Sequence, residues 1–214
     1  MKTHVFDVDH TIIKSSSMAH FLREALAEGV VRPWQIRSLP FDWLKYKLGR
    51  LDLDFIEKAV EFIAGIEKTD LDRVAEACFE RRIKRDIYPG AARLIAEAQE
   101  RGERVIFATS SFHVAIRPLE RFFGIEGSLA CELEFKDGRT SGRLVGESLL
   151  GAKKKDAVWK WMERNGISPG DVCFYSDSYI DIPLLEFCGK PVAVNPDRFL
   201  ERKARKHDWD IIRF

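Results

Sequence analysis

The stretch Val5-Phe6-Asp7-Val8-Asp9-His10-Thr11 constrains the fold of this chain more than any other. An apolar run climbs into two aspartates one residue apart, with a threonine two further on. Such a run reads as a short buried strand, and the tip of a strand is where α/β proteins place their ligands. Residues two apart in an extended chain face the same side, so Asp7 and Asp9 are expected to share one pocket. Two carboxylates that close repel each other unless a cation or a shared proton lies between them. The arrangement asks for a metal. A plain Asp-rich turn would use the same residues for local hydrogen bonds, so the assignment depends on partners elsewhere in the chain.

The remaining sequence allows one large domain, or a core with a small insert, in 214 residues. Lys plus Arg (35) nearly balances Asp plus Glu (34), so no global charge favours nucleic acid or an anionic membrane as partner. Cys78, Cys131, Cys173 and Cys188 are far apart and form no Cys-x-x-Cys pair, which predicts buried thiols in a reducing compartment. The chain enters its first strand directly. With no apolar leader and no run long enough to cross a bilayer, the expected location is the cytoplasm.

From about Ser15 to Ile83 the spacing is helical and no strand is evident. Ile56, Ala59, Val60 and Ile63 fall at i, i+3, i+4 and i+7, and so do Leu71, Val74, Ala75 and Cys78. Ser15–Ser17 and Asp70 offer N-caps, while Pro33 and Pro40 divide the region. A helical block of roughly seventy residues is too long for an ordinary crossover, and it reads as an inserted small domain. Strand–helix alternation then resumes. Tyr88-Pro89-Gly90 opens a helix with Ala91, Leu94, Ile95 and Ala98 on one face, ended at Gly102. A strand Arg104–Ala108 runs into Thr109-Ser110-Ser111, and a helical stretch follows that is broken or restarted at Pro118. Glu132–Phe135 and Arg143–Val145 flank Lys136-Asp137-Gly138-Arg139, a hairpin signal. A helix containing Ala157, Val158, Trp161 and Met162, a strand Val172–Tyr175, a short helix Pro183–Phe187, a strand Val192–Val194 and an edge strand Ile211–Phe214 complete the series. The predicted class is α/β: a Rossmann-like, mostly parallel sheet with helices on both faces, plus an all-helical insert and a β-hairpin.

Three of these strands end in polar groups: Asp7/Asp9/Thr11, Thr109/Ser110 and Asp177/Asp181. Parallel neighbours bring such tips to one rim. Gly151-Ala152-Lys153-Lys154-Lys155-Asp156 opens a helix nearby and adds cations. Carboxylates, a hydroxyl beside backbone N–H groups and a lysine are the parts that hold a divalent cation and a phosphate.

In this order the four segments resemble the motifs of the haloacid dehalogenase (HAD) superfamily. Asp7-Val-Asp9-His-Thr11 matches the first, Thr109 after an apolar strand the second, a lysine opening a helix the third, and Asp177-Ser-Tyr-Ile-Asp181 the fourth. The insert resembles the helical cap of the phosphoserine-phosphatase-like branch (subfamily IB), which implies a core of residues 1–14 and 87–214 and a cap of residues 15–86. The segment Ala130–Gly151 and the tail Asn195-Pro-Asp-Arg also look like small bacterial hydrolases of that branch.

The resemblance implies a Mg²⁺-dependent phosphatase acting on a small phosphorylated metabolite. Asp7 would attack phosphorus to form an aspartyl-phosphate, and Asp9 would serve as acid and then base. Asp7, the Asp9 carbonyl and Asp177 would hold the metal. Thr11, Thr109, Ser110 and Lys154 would bind the phosphate and substrate, with Asp181 in support. Lys154 is preferred to Lys153 and Lys155 because it lies three residues after Gly151, with Ala157 and Val158 three and four later, as in the family pattern. Asp9 also separates the chain from the superfamily's dehalogenases, which lack that carboxylate. A phosphotransferase or mutase using the same intermediate, and a catalytically idle binding domain, are the alternatives. A monomer or homodimer is expected.

Two departures bear on substrate, and a third bears on an outer hydrogen bond of the fourth motif. Where phosphoserine phosphatases carry a cap glutamate for the substrate ammonium, this chain has Ser16. Where they carry an arginine for the carboxylate, a loose alignment reaches Ala59. Ile180 replaces a polar residue common in the fourth motif. The reading therefore disfavours phosphoserine. The basic, aromatic stretch 32–50 (Arg32, Trp34, Arg37, Phe41, Trp43, Lys45, Tyr46, Lys47, Arg50) reads either as solvated cap helices or as a surface for a phosphorylated amphiphile or membrane. Arg81–Arg85 and Arg202–Lys206 read as solvated faces. His10, His20 and His113 are candidates to line the entrance, with no metal assigned to them.

Overall fold

A computed structural model describes residues 1–36, 59–125 and 127–214. Its strands are β1 (Thr3–Phe6), β2 (Arg104–Phe112), β3 (Ser128–Lys136), β4 (Arg139–Val145), β5 (Val172–Ser176), β6 (Lys190–Val194) and β7 (Asp210–Ile212). Its helices are α1 (Ser17–Ala27), α2 (Lys68–Cys78), α3 (Lys84–Asp86), α4 (Pro89–Glu100), α5 (His113–Phe123), α6 (Ala152–Arg164), α7 (Ile182–Leu185) and α8 (Arg198–Lys206). The strands form one sheet in the order β4-β3-β2-β1-β5-β6-β7. Every pairing is parallel except the β3–β4 hairpin. The chain is thus the α/β sheet that its alternating pattern predicts.

β1 lies at the centre, and all four of its residues are buried. Successive side chains alternate across a strand. Val5 joins Ile106 and Phe174 in a core under α6, α7 and α8, with Val158, Met162, Leu184, Leu185, Leu200 and Ala204. Phe6 enters the opposite core with Phe107, Ile95 of α4 and Leu119 of α5. That second core runs without a break into the helical block, where Phe21 and Ala25 of α1 and Leu71, Val74, Ala75 and Cys78 of α2 are buried. β1 pairs with β2 on one side and β5 on the other, so the direction of strand succession reverses around it. In open α/β sheets ligands bind outside the carboxyl ends of the strands at such a reversal.

The helical block is tied to the sheet at several places. Lys14 N–H donates to the Asp86 carbonyl and Tyr88 N–H to the Ile12 carbonyl, which brings the block's two connections side by side. At its far end, Gly65 N–H donates to Thr140 O, Thr140 N–H to Ile66 O and Lys68 N–H to Gly138 O. Arg117 and Arg121 of α5 pair with Asp72 and Glu76 of α2.

Several local expectations are corrected. α5 runs unbroken through Pro118: one backbone hydrogen bond is forfeited, while Val114, Ala115, Ile116 and Leu119 remain buried. Asp70 lies inside the first turn of α2 and Glu67 holds the cap position, while Ser16 alone caps α1. Ile63 falls in a turn after the helical residues 59–61, yet it is still buried. β2 extends to Phe112, and β3 and β4 are longer than predicted because the tight turn at Asp137 (φ 50) and Gly138 (φ 77) lets pairing begin at once. Arg81 is solvent-exposed and Arg82 half-buried, and both also pair with Glu24, a buried carboxylate of α1, at 2.5 and 2.7 Å.

All four cysteines are buried and free. Trp34 is exposed on a 3-10 turn, Pro33–Ile36. Pro40, Ile56 and the residues of the basic, aromatic stretch from Arg37 to Arg50 lie outside the described residues. Among the described residues, no helix is long and apolar enough to cross a membrane.

Candidate active site

Lys154 reaches the sheet rim from the first turn of α6. Gly151, just before that helix, has φ 57 and ψ −122, a conformation that suits glycine and lets the chain turn sharply into α6. The three successive lysines then diverge. Lys153 pairs with Glu147 at 3.4 Å, and Lys155 lies over the Phe187 ring, 5.3 Å from its centroid. Lys154 is buried, with Nζ 3.0 Å from Asp7 Oδ1 and 2.7 Å from Asp181 Oδ2. Burial disfavours its charge, but Asp181 and Asp7 outweigh that cost and raise its pKa. Asp181, on a 3-10 turn after β5, also accepts the Ser176 hydroxyl at 2.8 Å.

Asp7, at the tip of β1, is buried, and Asp177 follows β5. Burial pushes Asp7 up to about 7 despite Lys154, with Asp181 and Asp9 adding repulsion. Burial pushes Asp177 up to about 8, with Asp7 and Asp181 acting in the same direction. The loop carrying Asp177 is held by Asp197, whose N–H donates to the Asp177 carbonyl at 2.8 Å and whose Oδ2 accepts Tyr179 N–H at 2.7 Å.

The second-motif residues occupy an irregularity in β2. Ala108 pairs with Leu129 and Phe112 with Cys131, so Thr109, Ser110 and Ser111 face only one residue of β3 between those pairs. Such a bulge turns side chains away from the regular pleat. Thr109 is buried, and its Oγ1 accepts Ser111 N–H at 3.1 Å. Ser110 is partly exposed, and its carbonyl receives the Cys131 thiol. Ser111 Oγ donates to Asp9 Oδ2 at 3.2 Å, while Ser17 N–H donates to Asp9 Oδ1 at 2.9 Å. Thr11 is buried with no hydrogen-bond partner for its hydroxyl.

Asp7, Asp181 and Lys154 are therefore in direct contact, with Asp177 and Asp9 close enough for their charges to act on the cluster. Asp9 faces the start of α1 and the β2 bulge. Sequence reasoning missed four supporting residues: Ser17, Ser111, Ser176 and Asp197. Ser17, Ser111 and Asp197 lie within singled-out segments, but their contacts arise only from the docking of α1, the β2 bulge and the cap of α8. The candidate histidines have local partners: His10 the Lys14 carbonyl, His20 Asp86 and Ser15, and His113 Glu120 and Glu132.

The donor set suits a hard divalent cation. Among the described residues, no three His, Cys, Asp or Glu side chains form a ready-made cage. Asp7, buried, and Asp177, half-buried, are instead two oxygen donors whose repulsion a cation would relieve, and hard cations favour such ligands.

Fold and site together define an α/β protein whose polar residues gather at the carboxyl rim of a mostly parallel sheet. The model of the haloacid dehalogenase-like hydrolases matches residues 4–186. The chain belongs to this family, in its phosphoserine-phosphatase-like branch, and is a phosphoric monoester hydrolase. It is 32% identical over 211 residues to phosphoserine phosphatase SerB1 of Mycobacterium tuberculosis, covering 96% of this chain and 68% of that one. It is 29% identical to a histidinol-phosphatase of Neisseria meningitidis serogroup C, covering 98% and 97%. Among solved structures, a Bordetella pertussis Tohama I protein of unknown function superposes with a TM-score of 0.87 at 27% identity, covering 99% and 98%. A substrate-bound phosphoserine phosphatase shares the fold at a TM-score of 0.69 and 22% identity, covering 99% and 92%.

Proposed function

We propose that this enzyme hydrolyses a small phosphomonoester through an aspartyl-phosphate on Asp7, with Mg²⁺ as cofactor. The observation that carries this reading is the buried Lys154 ammonium, shared between Asp7 and Asp181 beside Asp177. Asp7, the Asp9 carbonyl and Asp177 would hold Mg²⁺, which supplies charge neutralisation between a carboxylate nucleophile and an anionic substrate. An Asp7 oxygen bonds to phosphorus as the ester oxygen leaves, and Asp9 gives that oxygen a proton. Asp9 then takes a proton from water as the water oxygen attacks phosphorus. The bond to Asp7 breaks, releasing inorganic phosphate and restoring both carboxylates to their starting state. Thr109, Ser110 N–H and Lys154 receive the phosphoryl oxygens, the unpartnered Thr11 hydroxyl is available to the phosphate or substrate, and Asp181 orients Lys154.

In this reading residues 15–86 form a cap that screens water and selects substrate over a core of residues 1–14 and 87–214. The substrate need not be phosphoserine. Ser16 is occupied in capping its own helix, accepting Ala19 N–H at 3.4 Å, and Ala59 provides no charge.

The test is phosphate release from a panel of phosphorylated metabolites and phospholipid head groups, including phosphoserine and histidinol phosphate, with Mg²⁺ present. Turnover of at least one monoester, a phosphoserine rate below the best substrate, and loss of turnover in a folded Asp7→Asn variant are expected. Substantial activity in Asp7→Asn would overturn the nucleophile assignment.

A further inference from the structure

Asp9 is held by two groups that the family motifs do not include. Its Oδ1 accepts the backbone N–H of Ser17, the first residue of α1, and its Oδ2 accepts the Ser111 hydroxyl. The two serines also meet each other, Oγ to Oγ, at 2.7 Å. Both are fully shielded, Ser17 at 0% and Ser111 at 1% exposure. One buried network thus joins the sheet rim, the first helix of the block and the carboxyl beside Asp7. Ser111 reaches Asp9 only because the β2 bulge turns it away from the strand's regular alternation.

We propose that Ser111, backed by Ser17, is a positioning residue that fixes the Asp9 carboxyl for proton transfer to the leaving oxygen and from the attacking water. This inference rests on the acid and base roles given to Asp9 above. A carboxyl has two soft torsions, and an acid must lie within hydrogen-bond reach of the atom that it protonates. Ser17 N–H alone restrains one oxygen and leaves the plane free to turn. The Ser111 hydroxyl restrains the second. The proton balance is unchanged: the proton travels between Asp9 and the substrate or water oxygen, and Ser111 keeps its own. Because Ser17 belongs to α1, the acid is fully held only while that helix is docked on the β2 bulge.

The experiment compares Ser111→Ala and Ser111→Cys with the parent enzyme on p-nitrophenyl phosphate and on an unactivated alkyl monoester. The cysteine variant keeps the side chain's volume but offers only a weak S–H donor. An activated aryl oxide leaves without help from an acid, whereas an alkoxide needs the proton. Misplacement of a catalytic group by about an ångström costs up to about a hundredfold. Thus kcat/KM for the alkyl ester should fall about tenfold to a hundredfold in both variants. For the aryl ester kcat/KM should change by less than about threefold. Because the water step also uses Asp9, kcat for the aryl ester should fall, and a burst of p-nitrophenol equal to the enzyme concentration should appear. Equal losses of kcat/KM on both esters, no loss on either, or the unfolding of both variants would overturn the proposal and make the network structural. Activity surviving in Asp7→Asn would instead count against the proposed function, so the two failures are distinguishable.

Discussion

Lys154 lies closer to Asp181 than to Asp7, 2.7 Å against 3.0 Å. The buried ammonium is thus anchored by a carboxylate other than the proposed nucleophile, and Ser176 fixes that anchor in turn. Asp181→Asn is expected to lower kcat about tenfold to a hundredfold by loosening Lys154. Lys154→Met is expected to lower it about a hundredfold or more by removing the charge itself. The double variant should be little worse than Lys154→Met, since both changes act through one ammonium. Steady-state kinetics on the four proteins checks this, and strict additivity would show that Asp181 acts independently.

The raised pKa values of Asp7 and Asp177 set a pH dependence whose sign follows from linkage. A group with a folded pKa above its unfolded value contributes stability that is fully present below the unfolded value and lost as pH rises through the folded one. Without a divalent cation, the contribution from these two carboxylates should therefore decline from about pH 4 upward, through about 7 for Asp7 and about 8 for Asp177. A bound cation favours the charged forms, so Mg²⁺ should displace protons and bind more tightly as pH rises. Calorimetry at about pH 7 in buffers of different ionisation enthalpy reads this directly. A heat independent of buffer would exclude the linkage.

Glu24 gives an acid-side prediction. Burial pushes its pKa up, but hydrogen bonds from Arg82 and Arg81 outweigh burial and leave it below the ordinary value. A depressed carboxylate contributes stability above its unfolded pKa and loses it as pH falls through the folded one. Glu24→Gln should cost about 1–3 kcal/mol at neutral pH, with the lower end allowed because the arginines are partly exposed to solvent. The difference from the parent should close as pH falls below about 4.5. Urea unfolding across pH measures it, and a constant difference would point to packing rather than charge.

Asp197 should matter although it lies on the cap of α8. Its carboxylate ties Phe199, Leu200 and Tyr179 N–H groups, and its own N–H holds the Asp177 carbonyl. Asp197→Ala should cost about 1 kcal/mol through the lost cap. It should also weaken Mg²⁺ affinity about tenfold by freeing the Asp177 loop. Titration of Mg²⁺ by calorimetry separates the two, since loss of the cap alone would lower stability and leave affinity unchanged.

The order of strands and the polar residues at their tips were legible because each is local: an apolar run, a terminal carboxylate or hydroxyl, a glycine before a helix. Lys154 was distinguishable from its neighbours because its spacing from Gly151, Ala157 and Val158 resembles the family pattern. What stayed hidden depends on irregularity or distance. Nothing in Thr109-Ser110-Ser111 announces that two residues are extruded from the β2–β3 register, yet that extrusion delivers Ser111 to Asp9. Nor does Arg81-Arg82, in a run that reads as solvated, reveal its pairing with a buried glutamate more than fifty residues earlier. Pro118 misled for the opposite reason, since a local breaker was overruled by the burial of its helix.

The hydrogen bonds between Gly65, Ile66 and Lys68 and the hairpin have a bearing on self-association. β4 is the outermost strand on its side, and an outermost strand ordinarily presents free N–H and C=O groups to any passing chain. Here Thr140 already spends both of its groups and Gly138 its carbonyl on the helical block, and Arg139 adds an ion pair to Glu67. At the other margin, β7 has only three residues and opens with Asp210, paired to Lys190. Neither margin offers a long, uncharged ladder on which strands of a second molecule could add.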